Sequence, residues 1–187
     1  MSDPVPLTGE PLALDLVNTR PSNGDLLTAL DELRAWVTLE ADRLPDVRTR
    51  TSELTEADLV SVRAIRQHAA NALDHARRGA RPAEADLQAL NKAQRAAPAI
   101  LALSWNGSTT AASRARTGPV GARLVAALAE AAAELLSDPS VTRIRQCEAE
   151  DCVLLFLPAH PRRRWCSADR CGNRVRVARH YQRHRQT

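Results

Sequence analysis

The sequence predicts a mainly α fold with a small β-hairpin, in which a helical N-terminal domain precedes a compact cysteine-rich module of hairpin and helix. Three observations carry this prediction. Apolar residues recur at helical spacings through most of residues 25–136, and Asn106-Gly107, a strong hairpin turn, interrupts that pattern. All four cysteines fall in "CEAEDCVLLFLPAHPRRRWCSADRC", residues 147–171.

The first segment, "PLALDLVNT" at 11–19, fits two structures. Leu12, Leu14 and Leu16 alternate as in a strand, whereas Leu12, Leu16 and Thr19 share a helix face. Leu26, Leu30, Leu33 and Val37 predict a helix over 25–41 capped by Asp25 and stopped before Pro45. Thr55 and Asp58 stand at capping-box spacing before Leu59, Val62, Ile65, Ala69, Ala72 and Ala76, and Gly79 ends that helix. A third helix runs from Pro82 to about Ala96. "AILALSWNGSTTAASRAR" then reads as an inserted hairpin, and "PVGARLVAALAEAAAELL" as an alanine-rich helix closed by Asp138-Pro139. That break sets the expected domains at 1–138 and 143–187.

At 187 residues the chain is long enough for one ordinary domain and a small one. No apolar run approaches the roughly 20 residues that span a bilayer, and "MSDPVPLTGEP" lacks the basic start and apolar core of a signal peptide, so a reducing, cytoplasmic location is expected without a membrane partner. The net charge of +4 is unevenly distributed: residues 143–187 hold eleven Arg against four acids, leaving the remainder acidic.

Cys147, Cys152, Cys166 and Cys171 form the pattern C-x4-C-x13-C-x4-C. Two equally spaced thiol pairs in so short a window suit one structural Zn2+, which takes four ligands tetrahedrally; disulfides are disfavoured in a reducing compartment. His160, His180 or His184 is an alternative for one ligand. The intervening segment reads as a strand through Leu154 and Phe156, a turn at 158–161 and a return strand ending at Trp165. A helix follows Cys171. Knuckle, hairpin, second knuckle and helix describe a treble-clef zinc finger.

Four zinc-bound thiolates carry a formal charge of −2, which accounts for nearby cations such as Arg164, Arg170 and Arg174. It does not account for all of them. On a helical wheel Arg176, Arg179 and Arg183 fall within about 60° of one another, and the triplet Arg162-Arg163-Arg164 continues the stripe. Guanidinium groups bind phosphates bidentately, so Arg162, Arg163, Arg164, Arg174, Arg176, Arg179 and Arg183 are the expected contacts to double-stranded DNA. The alternative is a zinc-stabilised module that docks on RNA or on an acidic protein.

"RRRWCSADRCGNR" resembles the CGNR zinc-finger family, whose name is the tetrapeptide 171–174, and "LALDLVNT" is similar to the opening motif of the ABATE domain that precedes this finger. The resemblance implies a bacterial transcription regulator, with the finger as the DNA-binding part and the helical domain as a small-molecule sensor. Two departures bear on target and contact geometry: "FLPAHP" stands where relatives often carry a polar or acidic residue, and Val175-Arg176 where a Lys often follows the CGNR arginine.

If 12–19 is helical, Asp15, Asn18 and Thr19 share one polar face, which with Arg63 and Arg66 could line a pocket for an effector, an anionic one suiting the guanidinium groups. Otherwise Asn18 and Thr19 terminate a helix or cap the next segment, and the arginines are solvated. His68 and His75 lack a third ligand, Trp36 and Trp105 read as packing residues, and neither a nucleophile-elbow nor a phosphate-loop pattern is present, so no enzymatic activity is expected. A homodimer is compatible with the limited affinity of one small finger, though no heptad seam marks it.

Overall fold

The computed structural model describes residues 8–177. Residues 12–19 resolve as a helix: α1 spans Leu12–Val17, entered from Pro11 and closed at Asn18. Helix packing explains the choice, since Ala13, Leu14, Asp15 and Leu16 are all buried, which alternation along a half-exposed strand would not allow. α2 is Leu30–Leu39, beginning five residues later than the sequence predicts. Asp25 does not cap it. Its carboxylate instead accepts from the Leu27 N–H at 2.9 Å and pairs with Arg66, while Glu32 turns back to the N–H groups of Thr28 and Ala29.

α3, Glu56–Arg77, starts at the predicted capping box: Asp58 takes the Thr55 N–H at 2.9 Å, and Thr55 Oγ1 accepts from the Asp58 N–H. It ends before Gly79, whose φ of +70° suits glycine. α4 is Glu84–Ala96 and α5 is Val120–Ser137. α3, α4 and α5 pack on one another, with α1 against α3 and α5. Leu14, Leu33, Trp36, Val62, Leu73 and Leu128 fill the core between them. α5 meets the start of α3 so closely that a Cβ at Gly121 would overlap the Asp58 carboxylate. Among the described residues no helix is long and apolar enough to cross a membrane.

The inserted hairpin pairs β1, Ile100–Trp105, with β2, Thr110–Ala115, antiparallel, Trp105 opposite Thr110. Its turn is longer than the two-residue type that Asn106-Gly107 predicts. The Asn106 side chain organises it, accepting from the N–H groups of Ser108 at 3.0 Å and Thr109 at 2.8 Å. Trp105 is exposed here rather than packed, whereas Trp36 is buried.

The C-terminal part departs from the predicted hairpin. β4, Leu155–Phe156, pairs with β3, Arg145–Gln146, across the first cysteine pair, and residues 162–165 form no strand. The reason is that Cys147 and Cys152 lie between the paired segments, so the knuckle itself is the turn, and the Cys147 N–H donates to the Leu154 carbonyl at 2.9 Å. Before it, the 3-10 turn Pro139–Arg143 follows α5 directly. Ser167 caps a single wide turn over Ala168–Gly172 that continues as helix through 173–177.

Successive side chains of a strand point to opposite sides, and "LLFL" shows what that means here. Leu154 and Phe156 enter a small core with the cysteines, whereas Leu155 and Leu157 join the core of the helices. Val141 and Ile144 do likewise. β4 is therefore a wall shared by the two hydrophobic cores.

Candidate metal centre and its arginine surface

The four cysteine sulfurs lie within 4.8 Å of one another, three of the four residues buried. Cys166 Sγ is 3.6 Å from Cys171 Sγ and 4.0 Å from Cys152 Sγ. A tetrahedron with Zn–S bonds of about 2.3 Å has edges of about 3.8 Å, whereas a disulfide requires about 2.05 Å. All four thiols are free. The spacing fits an ion at the centre and not bonds between the sulfurs.

Ionisation points the same way. Burial pushes the Cys152 thiol up to about 11, with Cys147 and Cys171 adding to it, and burial followed by the neighbouring sulfurs pushes Cys166 up as well. Burial also opposes ionisation of Cys147, but hydrogen bonds from the backbone at Cys166 and Ala149 outweigh it and its thiol is lowered. Four thiolates so close together need a dication to remain charged, and zinc supplies it. Arg174 contributes from outside, its Nη2 lying 3.6 Å from Cys171 Sγ and 3.2 Å from the Glu150 carbonyl.

The predicted arginine surface divides by environment. Arg162, Arg164, Arg174 and Arg176 are exposed. Arg164 pairs with Glu148 and lies 5.2 Å from the centre of the Trp165 ring, and Arg176 Nε donates to the Gly172 carbonyl at 3.4 Å. Arg163 faces inward. It lies 4.4 Å over the Phe156 ring, donates to the carbonyls of Trp165 and Cys166, and forms an ion pair with buried Glu10. Arg179 and Arg183 lie outside the described residues.

Asp15, Asn18 and Thr19 do share a face, and that face is turned to other parts of the protein. The Asn18 amide donates to the Leu155 carbonyl and accepts from the Leu155 N–H, both at 2.8 Å, so a side chain takes the place of a strand on the free edge of β4. Glu10 extends the arrangement by accepting from the Leu157 N–H at 2.9 Å. Thr19 Oγ1 donates to the Leu16 carbonyl at 2.6 Å and accepts from Arg66, which is buried and bidentate to Asp25. Arg63 is half-exposed, 3.8 Å from Asp25, and shares a cleft with Arg20 and Arg66. Glu10 and Arg43 have no periodic or motif signal in the sequence; they become visible only when the chain ends meet.

Asp15 is fully buried and accepts from the Gly9 and Glu10 N–H groups and from Arg43, which also pairs with buried Glu40. Burial is the largest influence, and it raises the carboxyl from 3.8 to about 6 despite Arg43, with Glu40 adding to the rise. A raised carboxyl pKa means that ionisation opposes folding: the penalty is absent below about pH 4, grows as pH rises to 6, and is complete above that. Measured against Asp15→Asn, the wild type is expected to lose up to about 3 kcal/mol of unfolding free energy between pH 4 and pH 7. Parallel pH profiles of the two proteins would refute the assignment.

Two family models match the chain. Residues 10–139 match ABATE, described as a putative stress-induced transcription regulator, and residues 143–184 match the CGNR zinc finger. A comparison with curated proteins finds no match. Both families are of regulator and zinc-finger type, and the clustered cysteines identify the cofactor as one structural zinc ion. With its helical part matched over most of its length and the thiol centre following directly, the chain belongs to the ABATE family of regulators and carries a CGNR zinc finger.

Proposed function

We propose that this chain is a cytoplasmic, zinc-dependent transcription regulator that binds double-stranded DNA through its finger and senses a small molecule through its helical part. The observation that carries the reading is a rigid cationic surface: Arg162, Arg164, Arg174 and Arg176 remain exposed on a segment that the four-cysteine centre holds in place. Backbone phosphates are the polyanion such a surface suits, and the predicted positions Arg179 and Arg183 would extend it. Arg163 is the exception among the proposed contacts. Its guanidinium serves the junction with Glu10, so its removal is expected to act on stability.

For sensing, Arg63 and Arg66 both line a cleft with Arg20; Asp25 holds Arg66 on both nitrogens, so Arg63 and Arg20 are the guanidinium groups that a carboxylate or phosphate would meet there. The test of the DNA reading is a binding isotherm on a duplex at several salt concentrations. Replacing Arg162 and Arg176 together by Gln is expected to reduce the slope of log K against log salt by about 2 and to leave the thermal unfolding midpoint little changed. An unchanged slope would move the contact surface elsewhere. Tighter binding of single-stranded RNA or of an acidic peptide than of duplex DNA would favour the interaction-module alternative.

A further inference from the structure

A recess in the helical part lies away from both the cysteines and the Arg63 cleft. About 650 Å³ in volume, it opens between α1, the segment after α2, the base of the hairpin and α5, with an apolar lining that includes Leu12, Leu44, Ala127, Ala131, Leu135 and, from the finger side, Leu157. That volume is in the range of pockets that hold drug-sized ligands.

The charges around it are unevenly spent. Arg43 is held by Asp15, Glu40 and the Glu10 carbonyl, and Arg116 by Glu130 and the Ala97 carbonyl; Arg114 shares Glu130 at 3.3 Å. By contrast, the carboxylates of Asp46 and Glu134, in the same lining, have no hydrogen-bond or ion-pair partner among the described residues. An anionic ligand reaching for Arg43 would have to draw it from two buried carboxylates and leave them unpaired, which is strongly unfavourable. A cation meets no such obstacle. We infer that this recess binds a hydrophobic amine, its apolar body on the alanine and leucine wall and its ammonium group toward Asp46 and Glu134.

The position also says what occupancy would touch. Arg43 donates to the Glu10 carbonyl, while the Glu10 carboxylate holds the Leu157 N–H and Arg163. A ligand against Arg43 and Leu157 therefore meets both sides of the contact that seats the finger on the helices. The effect on DNA rests on the function proposed above; the binding itself does not.

Three probes of matched size, 1-naphthylmethylamine, 1-naphthalenemethanol and 1-naphthoate, separate the possibilities by calorimetry on the full, zinc-loaded chain at neutral pH. The amine is expected to bind about tenfold or more tightly than either of the others. Asp46→Asn with Glu134→Gln should bring the amine down to the affinity of the alcohol and leave the alcohol unchanged; Glu134 is exposed, Asp46 is half-buried and neither carboxylate has a partner among the described residues to lose, so the fold is not at stake. Ala131→Phe, or the milder Ala127→Leu, should fill the recess and abolish binding of all three. Naphthoate binding as tightly as the amine, binding that survives both filling variants in folded protein, or no binding by any probe at millimolar concentration would each overturn the site. Failure of these tests with duplex binding intact would leave the proposed function standing. Amine binding without change in duplex affinity would keep the site and overturn its coupling to the finger.

Discussion

Stripping zinc with a strong chelator, or replacing Cys166 by Ser, is expected to unfold the finger and to weaken the helical part with it. Coordination by four thiolates is worth on the order of 10 kcal/mol in small zinc modules, more than an entire domain of this kind holds in reserve. The finger has little else, since its own core consists of Ala149, Leu154, Phe156 and the cysteines, with Trp165 and Val175 packed at its margin. The effect spreads because β4 is common to both cores. Once Phe156 loses the surroundings set by the metal, Leu155 and Leu157 are no longer held in register on the helices. Elemental analysis should give one zinc per chain, and thermal unfolding followed at the helices should show a lower midpoint in the metal-free protein. A helical part that unfolds at the same temperature with and without zinc would show that the shared wall does not couple them.

The second large effect is expected at Asn18. Asn18→Ala removes two hydrogen bonds and leaves the N–H and C=O of Leu155 buried without partners, a loss of about 2–4 kcal/mol. Asn18→Asp is a sharper test than its size suggests. The amide donor facing the Leu155 carbonyl becomes a carboxylate oxygen, so repulsion replaces attraction while the acceptor side is kept, and the loss should equal or exceed that of the alanine variant. Hydrogen exchange at the Leu155 amide separates the local effect from a general one. It should accelerate in both variants by more than the amides in the middle of α3 do. Uniform acceleration would mean that Asn18 supports α1 alone, and no acceleration would mean that another group pairs with β4.

Much of this was legible in the chain. The apolar spacings of 55–77 and 120–137, the Thr55–Asp58 capping box and the four cysteines each rest on interactions between residues close in sequence, which is why their positions agree with the structure. Structure and sequence pattern differ where local and distant partners compete. Asp25 has the composition of a helix cap, but Arg66, 41 positions away, claims its carboxylate, and α2 starts later as a result. In the finger, alternation marks the strand through Leu154 and Phe156 without saying which segment it pairs with, and β4 pairs with β3 rather than with 162–165.

From the sequence alone come the helical class, the zinc centre and the concentration of arginine in the last quarter, all set by spacing and composition. The role of Asn18, the inward turn of Arg163, the burial of Asp15 beside Arg43 and Glu40, and the apolar recess next to Leu157 were decided only by the tertiary structure. Asn18 and Arg163 depend on opposite ends of the chain meeting at β4, with Glu10 and Arg163 153 positions apart and Asn18 and Leu155 137 apart, while Asp15 and Arg43 meet across 28 positions. Polar residues such as these have several acceptable partners in any sequence, and only packing, by excluding water, determines which one each must have.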